Sequence, residues 1–244
     1  MLDDVSFDVG TREIVAIVGP NGCGKSTLLR VIGGLLPPDL GSVELAGRTV
    51  SGPDPRVGFV FQDARLLPWA SIADNVAFPL RVAGRPRAEQ VARAALLLAL
   101  VDVAPFAEAR PHQLSGGMRQ RAAIARALAL EPAVLLMDEP FSALDALTRE
   151  RFGGELLRIW ERTATTIVLV THSIAEAVFL ADRVLVLSPR PGHVVADIPV
   201  ALPRPRTMED LDSPIGNSAA RQVRRSLVDP GDPGDAPATI EVAV

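Results

Sequence analysis

The run Gly19-Pro20-Asn21-Gly22-Cys23-Gly24-Lys25-Ser26 constrains this chain more than any other segment, because it fits G-x-x-x-x-G-K-[ST] and lies between two different elements. Glu13 to Val18, just before it, is a short β-branched run that reads as a strand. Ser26 to Ile32, just after it, reads as the first turns of a helix stopped by Gly33-Gly34. A strand, a glycine-rich turn and a helix in that order make a cradle for an anion. Glycines permit positive φ angles and close backbone approach, and a helix start adds unsatisfied N–H groups and a favourable dipole. The pattern predicts an ATP phosphate site over Gly19 to Thr27, with Lys25 on the β- and γ-phosphates and the Ser26 hydroxyl on Mg2+. Because backbone groups do the binding, the side chain of Cys23 is expected to be free to vary. As the sole cysteine, it has no disulfide partner in the chain.

A nucleotide held with a metal also needs an acid. Val134-Leu135-Leu136-Met137-Asp138 provides one at the end of an apolar run, where open α/β sheets place their ligand sites. Asp138 is the candidate metal-organising residue, acting through ordered water, and Glu139 the candidate to orient and deprotonate an attacking water.

The rest of the chain reads as an α/β fold with one helical insertion. Leu2 to Val9, Gly41 to Leu45 and Val57 to Phe61 are short strand candidates, so the early part is strand-rich. Ser71 to Leu80, Ala88 to Val101 and Ser115 to Ala129 carry helical patterning, which predicts a helical subdomain over about 70–130. Val134 to Met137 and Ile167 to Val170 are continuous apolar runs, the pattern of strands covered on both faces, with a helix over Arg149 to Glu161 between them. From Pro189 onward prolines punctuate a polar stretch, so residues 194–244 are expected to be a peripheral or partly disordered tail beyond a domain of 1–193, with one short helix near Ser218 to Leu227. No apolar run approaches the roughly 20 residues of a membrane span, and no signal-peptide pattern opens the chain. A membrane, if involved, would be reached through a partner. A net charge of −4 and the absence of a basic-aromatic stripe argue against a nucleic-acid surface.

These motifs together resemble the ATP-binding subunits of ABC transporters, over about residues 2–193. Leu114-Ser115-Gly116-Gly117-Met118-Arg119-Gln120 is similar to the family signature, Gln62 to the glutamine linking nucleotide and membrane partner, Ser142-Ala143-Leu144-Asp145 to the loop at the dimer interface, and His172 to the switch histidine. The resemblance implies a P-loop NTPase core with an N-terminal antiparallel β subdomain and the inserted helical subdomain. It implies ATP and Mg2+ as ligands, with Gln62 also near the metal. Ser115, Gly116, Gly117 and Asp145 of a second copy would close each site in a head-to-tail dimer. His172 would hold the γ-phosphate and water, with Lys25 and Glu139 completing the catalytic set. Ser115 also suits an N-cap, so the cap and the anion contact coincide there.

Phe61-Gln62-Asp63, Leu66-Leu67-Pro68-Trp69 and Leu187-Ser188-Pro189-Arg190-Pro191-Gly192 narrow the resemblance to the nitrate, sulfonate and taurine importer group. That implies an ATP-hydrolysing subunit on the cytoplasmic side of the cell membrane. It would be bound to transmembrane permease subunits and served indirectly by a solute-binding protein, with Trp69 in the docking region. Two other readings are an ABC-type ATPase acting on DNA or ribosomes, and a nucleotide-gated interaction module with weak hydrolysis. In family members a further strand and an adenine-stacking aromatic precede the counterpart of Leu2 to Phe7. Their absence from this sequence points to a late or truncated start, or to an adenine held by another side chain.

Overall fold

Runs of aliphatic residues with no polar face can be buried only in the middle of a layered sheet, and three such runs set this architecture. The computed structural model describes residues 2–142, 144–228 and 239–242. Its strands are β1 (Phe7–Val9), β2 (Ile14–Val18), β3 (Ser42–Leu45), β4 (Arg48–Thr49), β5 (Val57–Val60), β6 (Val134–Asp138), β7 (Thr166–Val170), β8 (Arg183–Leu187), β9 (Val194–Pro199) and β10 (Thr239–Val242). Its α-helices are α1 (Lys25–Ile32), α2 (Ile72–Val82), α3 (Arg87–Leu100), α4 (Gly116–Ala127), α5 (Ala146–Thr163), α6 (Ile174–Leu180) and α7 (Pro214–Val228). The larger sheet runs β5-β6-β7-β2-β8-β9 and is parallel except for β9. Every residue of β2, β6 and β7 is buried.

Alternation along β2 divides the interior in two. Ile14, Ala16 and Val18 face a core shared with α2 through α6. Val15 and Ile17 face a second core with Leu28, Leu29 and Ile32 of α1 and with the smaller sheet. Both faces of the strand are therefore dry, which is why its sequence shows no period of two. The fold is α/β, with a mostly parallel sheet between helices, as expected.

Several boundaries differ from the sequence reading. Leu2 to Val9 does not form one strand: Asp4 has a positive φ of 45°, and Leu2 forms an isolated bridge with Gly192 while β1 begins at Phe7. The smaller sheet, ordered β1-β10-β3-β4, is antiparallel only at β3–β4; β10 pairs in parallel with β1 and with β3. Ile240 and Val242 are buried in the second core, so apolar burial draws this late segment into a sheet of early strands.

Residues 194–228 are not a peripheral appendage. Val194–Pro199 pairs with β8 as the edge strand of the larger sheet, and Ala219 and Val223 of α7 pack into the first core. The prolines that suggested a tail shape the connection between these two elements. Arg206 locks that connection. Its guanidinium, almost wholly buried, donates to the carbonyls of Phe179 and Ala181 at 3.2 and 2.7 Å and to those of Leu202 and Val200 at 3.1 and 3.3 Å. It thereby satisfies the open carbonyls at the end of α6. Burial, aided by the nearby Arg204 charge, pushes its pKa down to about 10, so it stays charged at neutral pH. Replacing Arg206 by Leu should leave several buried carbonyls without a donor and lower unfolding stability by about 2–3 kcal/mol, read as a shift in the urea midpoint. An unchanged midpoint would mean that the segment after β9 is not integral to the fold.

Candidate functional site

Parallel pairing aligns the carboxyl ends of neighbouring strands, and the predicted site residues follow those ends one after another. Gln62 lies beyond β5, Asp138 and Glu139 end β6, His172 follows β7, and the glycine-rich loop follows β2. Register fixes their common level: Asp138 is opposite Val170 in β7, and Ile17 of β2 is opposite the same residue. The next bonds continue the alignment, with the Glu139 N–H donating to the Val170 carbonyl at 3.0 Å and the Thr171 N–H to Ile17 at 3.2 Å.

The loop has the backbone that its sequence requires. Gly22 and Gly24 have φ values of 77° and 115°, in the region that favours glycine. Gly24 N-caps α1, so the helix opens at Lys25 directly beside the loop. Lys25 is buried and curls back, its Nζ donating to the carbonyls of Gly19 at 2.8 Å and Pro20 at 3.0 Å. The ammonium is thus held over the loop, where a phosphate would find a cation and a ring of N–H donors. Cys23 differs from expectation: it is fully buried, and a Cβ added at Gly19 would lie 2.9 Å from its Sγ. Packing, rather than phosphate binding, restricts this position to a small side chain.

Ser26 and Asp138 meet at the foot of the loop, with the Ser26 hydroxyl donating to Asp138 Oδ1 at 2.8 Å. Burial pushes the Asp138 carboxyl above its ordinary pKa, and the neighbouring Glu139 charge pushes the same way, against the Ser26 hydrogen bond and the Arg30 and Lys25 charges. A hydroxyl and a buried carboxylate beside a phosphate cradle suit a hard cation such as Mg2+, which takes few protein ligands and keeps its waters. Among the described residues no group of three or more His, Cys, Asp and Glu side chains forms an all-protein metal cage. The Ser26 hydroxyl and the Asp138 carboxylate fit a metal that takes few protein ligands.

Glu139 stands next to this pair in a strained backbone, φ 43°. Its carboxylate is 3.3 Å from the Gln62 amide nitrogen and 3.5 Å from His172 Nδ1. Ser142 caps its carbonyl from both hydroxyl and N–H, at 3.0 and 3.2 Å. Gln62 thus faces Glu139 in this structure rather than the Ser26–Asp138 pair. A cleft of about 450 Å3 opens here, with Arg30, Gln62, Asp63, Asp138 and Ser142 among its lining.

Ser115, Gly116, Gly117 and Asp145 form a separate group. Ser115 caps α4 by accepting from the Met118 N–H at 3.3 Å, and Asp145 caps α5 by accepting from Thr148 at 3.0 Å. Hydrogen bonds from Thr148 hold the Asp145 carboxyl below the ordinary range. Gly117 lies against Leu144 and Thr148, so the two helix starts adjoin. Among the described residues no hydrogen bond or ion pair joins this group to the loop. Ala143 of the predicted interface loop lies outside the described residues.

Three polar residues beside the site, Thr171, Glu176 and Arg149, were not singled out in the sequence. Glu176 accepts a short hydrogen bond from Thr171, directly before His172, and pairs with Arg149 at 3.3 Å. Burial raises the Glu176 carboxyl above its ordinary pKa. Its position in the first turn after the Ser173 cap was the available signal.

Residues 2–142 match the ABC transporter family. Taurine import ATP-binding proteins TauB from Rhizobium johnstonii and Pseudomonas entomophila are 56% and 52% identical over 195 residues, which is 80% of this chain and 74% and 75% of theirs. Among solved structures, an ATP-binding cassette in a dimeric post-hydrolysis state bound to ADP and Pi aligns with a TM-score of 0.71 at 35% identity, covering 81% of this chain and 90% of that one.

A carboxyl with a raised pKa in the folded state holds its proton longer there than in the unfolded chain. Its contribution to stability is therefore greatest at low pH and declines as pH rises from the unfolded value through the folded one. Replacing Asp138 by Asn should remove that decline and raise the nucleotide-free Tm at neutral pH. Thermal unfolding across the acid range, with and without the substitution, measures this; a lower Tm at neutral pH would show that ionised Asp138 stabilises the fold.

Proposed function

The chain belongs to the ABC transporter family and is an ATPase, and from that premise we propose that it is the ATP-hydrolysing subunit of an importer for taurine or a related small sulfonate or oxoanion. The observation that carries the chemistry is the convergence of Gln62 and His172 on the Glu139 carboxylate, beside the Ser26–Asp138 pair. The identity with taurine import ATP-binding proteins over most of the chain supports the substrate class.

In this reading the loop N–H groups and Lys25 bind and orient the triphosphate. Ser26 and Asp138 would hold Mg2+, which when bound would neutralise phosphate charge. Glu139 takes a proton from a water in line with the γ-phosphate, and His172 stabilises the charge that develops there. Lys25 must leave the Gly19 and Pro20 carbonyls to meet the phosphates, so its present bonds keep the ammonium close without burying it unpaired. Each chain carries one loop and, separately, one Ser115–Gly117 and Asp145 group. Two copies arranged head to tail would bring each such group to the partner's loop, and the related cassettes solved as dimers favour this arrangement.

Coupling to a permease would run through Gln62 and the adjoining surface. Trp69 is 73% exposed, unusual for so large an apolar side chain. It is presented by a rigid turn: buried Asn75 accepts from the Leu67 N–H at 2.6 Å and donates to the carbonyls of Leu67 and Ser71 at 3.2 and 2.9 Å. Among the described residues no helix is long and apolar enough to cross a membrane. We assign the chain to the cytoplasmic membrane surface through its partner, with the solute selected by the permease and a solute-binding protein.

Glu139→Gln should keep ATP binding but lower turnover by about 10²–10⁴-fold, the range of a lost general base. Phosphate release at the parent rate by the purified variant would remove Glu139 from that role. Trp69→Ala should leave basal hydrolysis unchanged and weaken both permease pull-down and the stimulation of hydrolysis by a taurine-loaded binding protein. Undiminished coupling would exclude Trp69 from the docking surface.

A further inference from the structure

The motif Leu187-Ser188-Pro189-Arg190-Pro191-Gly192 is left without a role by the phosphate chemistry, yet its hairpin lies against the back of the phosphate loop at three successive points. Leu187 adjoins Gly19, where an added Cβ would lie 3.1 Å from both the Leu187 Cβ and its carbonyl oxygen. Arg190 Nε donates to the Gly22 carbonyl at 2.6 Å. Gly192 approaches so closely that any Cβ there would overlap the Cys23 carbonyl oxygen. The hairpin is itself rigid. Ser188 Oγ donates to the Pro191 carbonyl at 2.8 Å and accepts from the His193 N–H at 3.0 Å. Asp3 N–H also donates to the Gly192 carbonyl at 2.9 Å, while Leu2 bridges from Gly192 to the helix start at Gly24.

Peptide geometry turns these contacts into a statement about nucleotide binding. In a trans peptide the carbonyl and the following N–H point in opposite directions. A hairpin that bonds the Gly22 carbonyl and packs behind the Cys23 carbonyl therefore turns the following N–H groups away from itself, that of Cys23 toward the Pro20 carbonyl at 3.4 Å and that of Gly24 toward the open side of the loop. Gly22 and Gly24 have positive φ and no side chain to restrain them, and beyond the bond from the Cys23 N–H to the Pro20 carbonyl the hairpin gives their peptide planes a further stop. Arg190 also has no ion-pair partner among the described residues. Its charge is left to favour an anion in the adjoining loop.

Resting on the ATPase reading, we propose that the 187–193 hairpin presets the phosphate loop, with Arg190 a positioning residue that sets nucleotide affinity without touching the reacting atoms. The test measures equilibrium binding of a fluorescent ADP analogue, KM and kcat for MgATP, and nucleotide-free Tm, for the parent, Arg190→Ala and Arg190→Lys. Arg190→Ala should weaken ADP binding and raise KM by about tenfold, the scale of one charge-assisted hydrogen bond. Its kcat at saturation should stay within about twofold of the parent, and Arg190→Lys should recover part of the affinity. A nucleotide-free Tm that falls while ADP affinity and KM stay at parent values would make Arg190 a purely structural residue and overturn the proposal. A parent protein that binds no nucleotide would overturn the ATPase reading and this inference with it, whereas normal parent binding beside unaltered Arg190→Ala affinity would overturn the inference alone.

Discussion

Parallel hydrogen bonding of β2 between β7 and β8 is the constraint on which the rest of the molecule depends. It buries a strand with apolar residues on both faces and leaves its carboxyl end as the sole exit for the chain. Whatever follows must turn sharply at the sheet edge, and the glycines of the loop make that turn. The same pairing brings the ends of β6 and β7 to the level of the loop, so residues separated by more than a hundred positions meet without any long-range search for polar partners. A slip of one residue in β6 against β7 would move Asp138 to the opposite face of the sheet and away from Ser26.

The polar groups collected there are costly, and the structure offsets each cost locally. Asp138 is buried but accepts from Ser26; Lys25 is buried but donates to two carbonyls. Glu139 has a left-handed backbone, held by two capping bonds from Ser142 and its bond to Val170. Such arrangements lower stability compared with an apolar sheet end and leave groups ready to exchange internal partners for ligand. Arg206 is a different case. It is also buried and polar, but its acceptors are carbonyls that the end of α6 would otherwise leave open, so it stabilises the fold rather than preparing a site.

The separation of the two residue groups is equally informative. Gly117 packs on Leu144 and Thr148, so the start of α4 and the start of α5 form one surface. Lys25, Ser26, Asp138, Glu139, Gln62 and His172 form another around the strand ends. The proposed head-to-tail pairing starts from this separation.

The loop, the acids ending β6 and the helix cap at Ser115 were legible in the sequence, because each is a local pattern whose physics acts within a few residues. The β-branched run before the loop identified β2, and the continuous apolar runs identified β6 and β7, for the same reason. Other features depended on distant residues. Proline spacing made residues 194–244 read as a tail, whereas the edge of β8 and the carbonyls of α6 recruit residues 194–228 into the fold. Cys23 read as a free position until its neighbour across the turn proved to be Gly19. The contact of Arg190 with Gly22, across a separation of 168 residues, has no local signature at all. By itself, then, the sequence determined which segments could bind phosphate, end a strand or start a helix, since glycine conformation, caps and apolar patterning are properties of the nearby chain. Only the tertiary structure decided which of those segments meet, and how the phosphate loop is braced from behind, because sheet order and close packing arise from burial summed over the whole molecule.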